Sequence, residues 1–201
     1  MKVLALELSS AVGSIAFRRD DGPLVVRQFP ADRQHSGLFF ENLSEIRREC
    51  GLPDKIVVGL GPGSYAGTRI AISTAIGLRA ASSAQLVGLP SICAINLPAY
   101  CAIGDARRSS YFFAQVRQGI CEEGPLLVTE EEVRQKLDAQ GALPLVASEQ
   151  LPQFAGVTLA YPAADVLAAL GETAEPGDEM LEPIYLRPPY ITTPKKPLWT
   201  R

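Results

Sequence analysis

The chain has 201 residues, of which 47% are hydrophobic and 20% are charged, and its net charge is −3. These proportions are ordinary for a globular protein, and the charge provides no general attraction to nucleic acid. No apolar run reaches membrane-spanning length, and Glu7 interrupts the first run too early for a signal peptide. The four cysteines form no C-x-x-C pair, which is typical of reduced, buried thiols in a cytoplasmic protein; the single histidine excludes most histidine-rich metal sites.

The first half of the chain is predicted to begin with three antiparallel strands, at 2–8, 12–17 and 24–29. Asp20-Asp21-Gly22 favours a tight turn between the second strand and the third. A helix at 35–50 follows, because apolar residues recur there with helical spacing, at Phe39, Leu43, Ile46 and Cys50. After this helix we expect strands at 55–60 and 85–89 and helices at 67–82 and 91–99.

The strand pattern restarts near Ala99, which predicts two units, 1–99 and a smaller α/β unit at 100–201. In the second unit we expect strands at 101–104, 111–117, 126–128 and 143–147, and a turn at 122–124. Thr129 and Glu132 have the spacing of a capping box, which predicts a helix from there to about Gln140. An alanine-rich helix at 163–170 is expected to end at Gly171, and a proline-rich, extended segment occupies 182–201.

A glycine-rich loop at 59–67 joins a predicted strand to a predicted helix. A Walker phosphate loop needs a lysine after its last glycine, where this chain has Thr68. A dinucleotide-binding loop would have glycine at Ala66 and an acid about 20 residues later, but residues 55–104 contain no Asp or Glu. A nucleophile elbow would need glycine at Pro62. The loop is therefore interpreted as a tight packing turn.

The helix after the loop has no ordinary solvent face. Arg69 and Arg79 are its only charged residues, and Ile72 and Ile76 lie one turn apart. Small residues between them would allow another backbone to approach closely. Two interpretations stay open: the helix is buried within its own domain, or one of its sides binds another protein.

Three further positions are candidates for chemistry. Glu7 ends the first strand, where it could coordinate a metal or orient water, or could hydrogen-bond the Ser9-Ser10 turn. His35 begins a helix, a position where a lone histidine is more often structural than catalytic. Asp105 and Arg107-Arg108 could bind an anion or form an ion pair. No catalytic set of residues assembles from these positions.

Six motifs follow one another along nearly the whole chain. They are Leu4-Ala5-Leu6-Glu7-Leu8-Ser9-Ser10, His35-Ser36, Gly59-x-Gly61-Pro62-Gly63-Ser64-Tyr65-Ala66-Gly67-Thr68-Arg69-Ile70, Val87-Gly88-Leu89-Pro90-Ser91, Asp105-Ala106-Arg107-Arg108 and Glu182-Pro183-Ile184-Tyr185-Leu186-Arg187. In this order they resemble the TsaB family, also called YeaZ, and the glycine-loop motif is the most specific. The chain departs from the family pattern at Glu7, where aspartate is usual, and at Tyr65-Ala66, where Phe-Thr is common.

The resemblance implies an α/β fold of the actin-like ATPase (ribonuclease H-like) type, with two lobes that each have a mixed sheet and flanking helices, the second lobe being reduced. It also implies a non-catalytic subunit that supports TsaD, the enzyme that transfers a threonylcarbamoyl group to adenosine in tRNA. TsaE is the expected further subunit, ATP and metal are expected on the partner rather than on this chain, and tRNA is expected mainly through the complex. Pairing of the chain with itself is also implied.

The partner interface implied by the resemblance lies on the helix at 35–50, on the helix at 67–82 and on the glycine-rich loop that precedes the latter. Carried onto this chain, its residues are His35, Phe39, Leu43, Gly61, Gly63, Tyr65, Gly67, Arg69, Ile72 and Ile76. Glu7, Ser9 and Ser10 would be a vestigial nucleotide site, with no metal ligands and no catalytic residues. The alternative is an ATP-dependent actin-like enzyme that uses Glu7 and the glycine loop.

Overall fold

Two mixed five-stranded sheets organise the chain in the computed structural model, which describes residues 1–20, 22–31, 36–141, 143–176 and 181–187. The first sheet contains β1 (Val3–Glu7), β2 (Val12–Arg18), β3 (Val25–Pro30), β4 (Lys55–Gly59) and β5 (Gln85–Leu89). Their spatial order is β3-β2-β1-β4-β5. The first three strands are antiparallel, with Leu6 opposite Ile15, and β4 runs parallel to β1, with Leu6 opposite Val58.

Helices cover both faces of the first sheet. They are α1 (Ser36–Cys50) and α2 (Tyr65–Ala80) on one face and α4 (Ala164–Thr173) on the other. Because side chains alternate along a strand, Leu4 and Leu6 of β1 pack with α1 and α2, whereas Val3 and Ala5 pack with α4. The central strands β1 and β4 are therefore buried along their whole length and are mostly apolar, as expected for parallel strands that are covered on both faces.

The second sheet contains β6 (Ala99–Asp105), β7 (Tyr111–Arg117), β8 (Ile120–Val128), β9 (Leu145–Ala147) and β10 (Val157–Leu159), in the order β10-β9-β6-β7-β8. Helix α3 (Glu130–Gln140) covers one face through Val133, and its capping box at Thr129 and Glu132 is present as predicted. The other face packs on a 3₁₀ turn at Ser91–Cys93 and on Leu170 of α4. Helix α4 therefore contacts both sheets.

The expected helix at 91–99 is wrong. Only the short 3₁₀ turn at Ser91–Cys93 forms, and Ala99 already belongs to β6. The segment is apolar because it lies against the second sheet, where Tyr100 Oη donates a hydrogen bond to the carbonyl oxygen of Ile92 at 2.7 Å. Burial of this kind produces an apolar run without helical geometry, so the run alone could not identify the structure.

The expected turn at 122–124 is also wrong, because these residues lie inside β8. The hairpin turn is instead at Gln118 and Gly119, whose φ angles of 51° and 73° are those of a two-residue loop. The strand at 126–128 is thus the end of a longer one, and β10 was not predicted.

Two helices differ from their predicted limits. Helix α2 begins at Tyr65 rather than at residue 67, and α4 continues through Gly171 to Thr173. A β-carbon on Gly171 would collide with Val57 of β4, so this glycine allows close helix–sheet packing and does not end the helix. The tight turn predicted between β2 and β3 includes Asp21, which lies outside the described residues. The part of the predicted extended tail after residue 187 also lies outside them.

The four cysteines are all free thiols. Cys50, Cys93 and Cys101 are buried and Cys121 is half-buried, as the sequence predicted. Burial raises the pKa of the Cys93 thiol to about 12, which keeps it protonated and unreactive at neutral pH.

Candidate functional site

The glycine loop between β4 and α2 donates its backbone N–H groups to the chain itself. Gly61 N–H donates to Ser91 Oγ at 2.9 Å, Ser64 N–H to the carbonyl oxygen of Ser9 at 2.7 Å, and Leu60 N–H to that of Leu89 at 2.9 Å. At the start of α2, Gly67 N–H donates to the capping hydroxyl of Ser64. A phosphate loop directs such groups at its ligand. In this chain these four N–H groups donate to acceptors of the protein itself.

The glycines of the loop are explained by its contact with the turn after β1. A β-carbon on Gly63 would collide with the carbonyl oxygen of Ser9, and one on Gly67 with that of Leu8. Gly61 has a φ of 85°, in the left-handed region that glycine adopts without strain. The geometry is that of a tight packing turn, the interpretation that the sequence favoured.

Glu7 is fully buried at the end of β1. Its Oε1 accepts the N–H of Ser9 at 2.6 Å, which is the turn contact that the sequence offered as one alternative. Its Oε2 lies against Gly59 near Ser91 and has no hydrogen-bond partner among the described residues. Burial raises the pKa of this carboxyl, although the hydrogen bond from Ser9 and the nearby hydroxyl of Ser91 act in the opposite direction. Ser10 closes the same turn by donating to the carbonyl oxygen of Val12 at 2.9 Å.

A buried carboxyl group could donate or accept a proton, but Glu7 is closed to solvent. Within the described part of the chain, no group of three or more His, Cys, Asp or Glu residues is placed to hold a metal ion. The residues proposed for a vestigial nucleotide site therefore form an internal hydrogen-bonded turn.

Helix α2 has one buried side and one exposed side, which separates its two isoleucines. Ile72 lies in the core together with Thr68, Ala71 and Ala75. Ile76 is 43% exposed and Tyr65 at the first turn is 63% exposed. The other exposed positions of the helix are small residues and two arginines, namely Ala66, Arg69, Ser73, Gly77, Arg79 and Ala80. We call this set, with Tyr65 and Ile76, the outer face of α2.

Helix α1 places its predicted interface residues differently. Phe39 and Leu43 are buried against the first sheet, and the ring of Phe39 contacts that of Phe29. Phe40, which the sequence did not single out, is 50% exposed and is the large apolar residue on the outer side. Phe40 lies outside the helical stripe of apolar residues, and this was the sequence signal that could have identified it as an exposed apolar side chain. His35 lies outside the described residues.

The C-terminal segment 181–187 crosses the glycine loop and reaches the outer face of α2. Ile184 N–H donates to the carbonyl oxygen of Leu60 at 2.8 Å, and Leu181 packs into the core beside Gly88. Arg69 Nη1 donates to Tyr185 Oη at 3.3 Å and to Tyr65 Oη at 2.9 Å, and the two rings lie 5.7 Å apart. The hydrogen bond with Tyr185 is the main cause of a raised pKa at Arg69, which stays charged.

Sequence reasoning described this C-terminal segment as extended and counted 182–187 among the motifs that resemble TsaB (YeaZ), but it assigned the segment no contact with α2. It therefore missed Tyr185, because a contact between residues 69 and 185 leaves no local pattern in the sequence.

A second polar feature follows β6. Arg107, Arg108 and Ser109 have φ angles of 65°, 55° and 55°, a left-handed conformation that costs roughly 1–2 kcal/mol per non-glycine residue. Asp105 stabilises the turn, because its Oδ1 accepts the N–H of Arg107 at 2.7 Å and its Oδ2 pairs with Arg107 Nη1 at 3.1 Å. The ion pair that the sequence suggested is confirmed. An open cavity of about 380 Å³ lies beside the turn.

Comparison with solved structures identifies this arrangement of sheets and helices. "YeaZ from Pseudomonas aeruginosa" matches with a TM-score of 0.75 at 22% sequence identity, and the match covers 92% of this chain and 99% of that one. The chain has the YeaZ fold. A second structure, of "an uncharacterized protein with similarity to peptidase YEAZ" from the same organism, matches with a TM-score of 0.71 over the same shares at 22% identity.

Sequence comparisons agree with the YeaZ fold. The family model "TsaD: tRNA N6-adenosine threonylcarbamoyltransferase" matches residues 30–122, which contain α1, the glycine loop and α2. "Uncharacterized protein ML0378" of Mycobacterium leprae is 30% identical over 144 residues, which are 70% of this chain but 38% of that protein. The chain thus spans well under half of the curated relative that it matches. The resemblance to YeaZ in fold is confirmed, and so is the predicted α/β class with two mixed sheets and flanking helices.

Among the described residues, no helix combines the length and the apolar character needed to cross a membrane.

Proposed function

We propose that this chain is a non-catalytic subunit in tRNA threonylcarbamoyladenosine biosynthesis and that it binds and supports a TsaD-like threonylcarbamoyltransferase. The outer face of α2 is the docking surface. The YeaZ fold and the TsaD family match support the pathway. The observation that carries the docking role is the exposure of Tyr65 and Ile76 on a helix side whose other residues are small, apart from Arg69 and Arg79.

Three properties make this face suited to a protein partner. Its small residues allow another backbone to approach, and its aromatic and aliphatic ends can fill pockets on the partner. Its charged residues are Arg69 and Arg79, both basic, and the helix has no acidic residue in its first turn. The face therefore suits an apolar partner surface that carries a carboxylate near the N-terminal end of α2.

The glycine loop supports a scaffold role over nucleotide hydrolysis. Four of its N–H groups donate to the chain's own acceptors, and Glu7 is buried in the turn beneath it. We accordingly propose that ATP and metal bind to the partner and that a TsaE-like ATPase joins the complex in the cytoplasm. The tRNA would be held mainly by the complex, and the outer face of α2 could also pair two copies of this chain when the partner is absent.

The decisive experiment introduces a charge on the docking face. Ile76→Arg should weaken association with the TsaD-like protein of the same genome by at least about thirtyfold, the effect of losing a binding hot spot. The matched control is Ile120→Arg on β8, since Ile120 is also exposed but lies on the second sheet. Calorimetric titration of the two purified proteins measures both affinities.

Equal affinities for the Ile76→Arg variant and the wild-type chain would remove α2 from the interface. Titration of the isolated chain with Mg-ATP tests the alternative enzyme, because micromolar binding would favour an ATP-dependent role for Glu7 and the loop. Ile72→Arg is unsuitable for either purpose, since Ile72 is in the core and its substitution would disrupt the fold.

A further inference from the structure

Two tyrosines and one arginine join the C-terminal segment to the outer face of α2. Arg69 Nη1 donates to Tyr65 Oη at 2.9 Å and to Tyr185 Oη at 3.3 Å, and Arg69 Cζ lies 5.2 Å from the centre of the Tyr65 ring. All three side chains belong to exposed residues. We call Tyr65, Arg69 and Tyr185 the Tyr-Arg-Tyr cluster. Its members contact one another and are still open to a ligand.

The cluster presents hydrogen-bond donors to solvent. Both phenol oxygens accept from Arg69, so their own O–H protons remain available to donate. Arg69 uses Nη1 for these two bonds, and its Nε and Nη2 donate to no acceptor in the described part of the chain. A guanidinium group beside two hydroxyl donors suits a carboxylate, which accepts hydrogen bonds at both oxygens and carries the opposite charge.

The described chain supplies no acidic partner to this arginine. Residues 55–104 contain no Asp or Glu, and Arg69 forms no ion pair among the described residues. Glu182 of the C-terminal segment is exposed and does not pair with Arg69. Other exposed arginines do pair with an acid of the same chain, as Arg134 does with Glu130 at 2.7 Å. A carboxylate that neutralises Arg69 would therefore come from another molecule.

Tyr185 is held in place on both sides along the chain. Before it, Ile184 N–H donates to a carbonyl oxygen of the glycine loop at 2.8 Å. After it, Leu186 packs on the core of the second sheet, and Arg187 Nη2 donates to the carbonyl oxygen of Arg107 at 3.1 Å. These anchors order the segment before any partner binds, so association loses little conformational entropy there. Tyrosine and arginine are also enriched among the residues that dominate binding energy at interfaces.

We propose that the Tyr-Arg-Tyr cluster binds the carboxylate of an Asp or Glu side chain on the TsaD-like partner, so that the C-terminal segment and α2 form one interface. This inference rests on the proposed function, because the partner is the protein that docks on α2. It adds the C-terminal segment to the docking surface and specifies the chemical group that the partner presents. The single guanidinium charge matches one carboxylate, and the two phenol groups orient its oxygens.

Two conservative variants with matched controls test this contact. Arg69→Gln removes the charge of the cluster, and Arg79→Gln removes the same charge from the last turn of the same helix. Tyr185→Phe removes one phenol donor and keeps the ring, and Tyr161→Phe makes the same change at an exposed tyrosine that follows β10. Calorimetric titration with the TsaD-like protein at about 50 and about 200 mM salt measures each affinity and its screening by salt.

Arg69→Gln should weaken association by at least about tenfold, and its affinity should depend less on salt than that of the wild type. Tyr185→Phe should weaken it by about three- to tenfold, the effect of losing one hydrogen bond, with unchanged thermal unfolding of the free chain. Both controls should stay within about twofold of the wild type, because most side chains around a binding hot spot contribute little energy.

Equal losses in Arg69→Gln and Arg79→Gln would indicate general charge attraction and would overturn the proposal, as would wild-type affinity in Tyr185→Phe. Full partner affinity in Arg69→Gln, with weaker binding of a tRNA transcript to the complex, would assign the cluster to phosphate and would also overturn it. If Ile76→Arg disrupts association and the cluster variants do not, the docking role stands and this inference fails. If the wild-type chain forms no complex, the proposed function fails and this inference fails with it.

Discussion

Helices α2 and α4 pack on opposite faces of the same sheet and have similar small, apolar compositions, yet only α2 exposes large apolar side chains among its described residues. Helix α4 is fixed at both ends. Ser14 Oγ accepts the N–H of Ala164 at 2.9 Å, and the buried Lys55 donates from Nζ to the carbonyl oxygens of Gly171 and Ala174 at 3.1 and 2.9 Å. Leu170 then contacts the second sheet. Helix α2 has no second sheet over it, so Tyr65 and Ile76 remain exposed.

This difference shows that helix composition does not distinguish a core helix from a docking helix. Ala164, Leu167 and Ala168 are buried because the second half of the chain returns across the first sheet. The same kind of side chain on α2 meets solvent because no sheet covers its outer face in the described chain, where Tyr185 contacts that face at Tyr65 and Arg69. The comparison makes three predictions.

The largest expected effect is on α4. Leu167→Ala should lower the free energy of unfolding by about 2–5 kcal/mol, because it leaves a cavity between the helix and the sheet. Ile76→Ala on α2 should change it by no more than about 0.5 kcal/mol. Urea unfolding followed by circular dichroism measures both. A comparable loss in the two variants would show that the outer face of α2 is buried in the free protein.

Glu7 lies on the α4 side of the sheet, and burial raises its pKa. The pH dependence of the free energy of unfolding therefore tests whether this side is closed to water. Above the ordinary carboxyl pKa of 4.5 the unfolded chain loses this proton first, so the folded state binds more protons and its stability falls as pH rises. Glu7→Gln should remove that fall and unfold at higher urea than the wild type at pH 7, with the two converging near pH 4. Parallel stability curves for the two proteins would contradict a buried, raised-pKa carboxyl.

The smallest effect is expected at Gly77, on the outer face of α2. A β-carbon there meets no atom within 4 Å, so Gly77→Ala should stabilise the free chain by up to about 1 kcal/mol through helix propensity. In the complex the added methyl group would lie where the partner's backbone is proposed to approach, and association should weaken. Thermal unfolding of the free chain and calorimetry of the complex separate the two effects. Stronger stability with unchanged association would place the partner away from Gly77.

Local patterns predicted most elements of the first sheet correctly, because its strands and α1 follow their side-chain periods closely. The same reasoning failed at 91–99 and at 122–124. At 91–99 an apolar run lies between the two sheets, and such a run does not reveal its backbone geometry. At 122–124 the glycine, Gly124, lies within β8, where the pairing with β7 shifts register, and not at the hairpin turn. The candidate site was found only in part. The sequence pointed to the α2 helix and to Arg69, but it grouped the buried Ile72 with the exposed Ile76 and missed Phe40 and Tyr185.

The sequence by itself determined the local features of the chain. These are the glycine loop without a phosphate-loop lysine, the weakly charged helix after it, the capping box at Thr129 and the motifs shared with TsaB (YeaZ). These depend on residues close together in the chain, whose geometry is set by local sterics and hydrogen bonds. Only the tertiary structure decided which side of α2 is exposed, that the loop packs on Ser9, and that Arg187 meets Arg107. Those contacts join residues 55 to 116 positions apart or depend on which face another element covers, and burial of that kind is a property of the assembled fold.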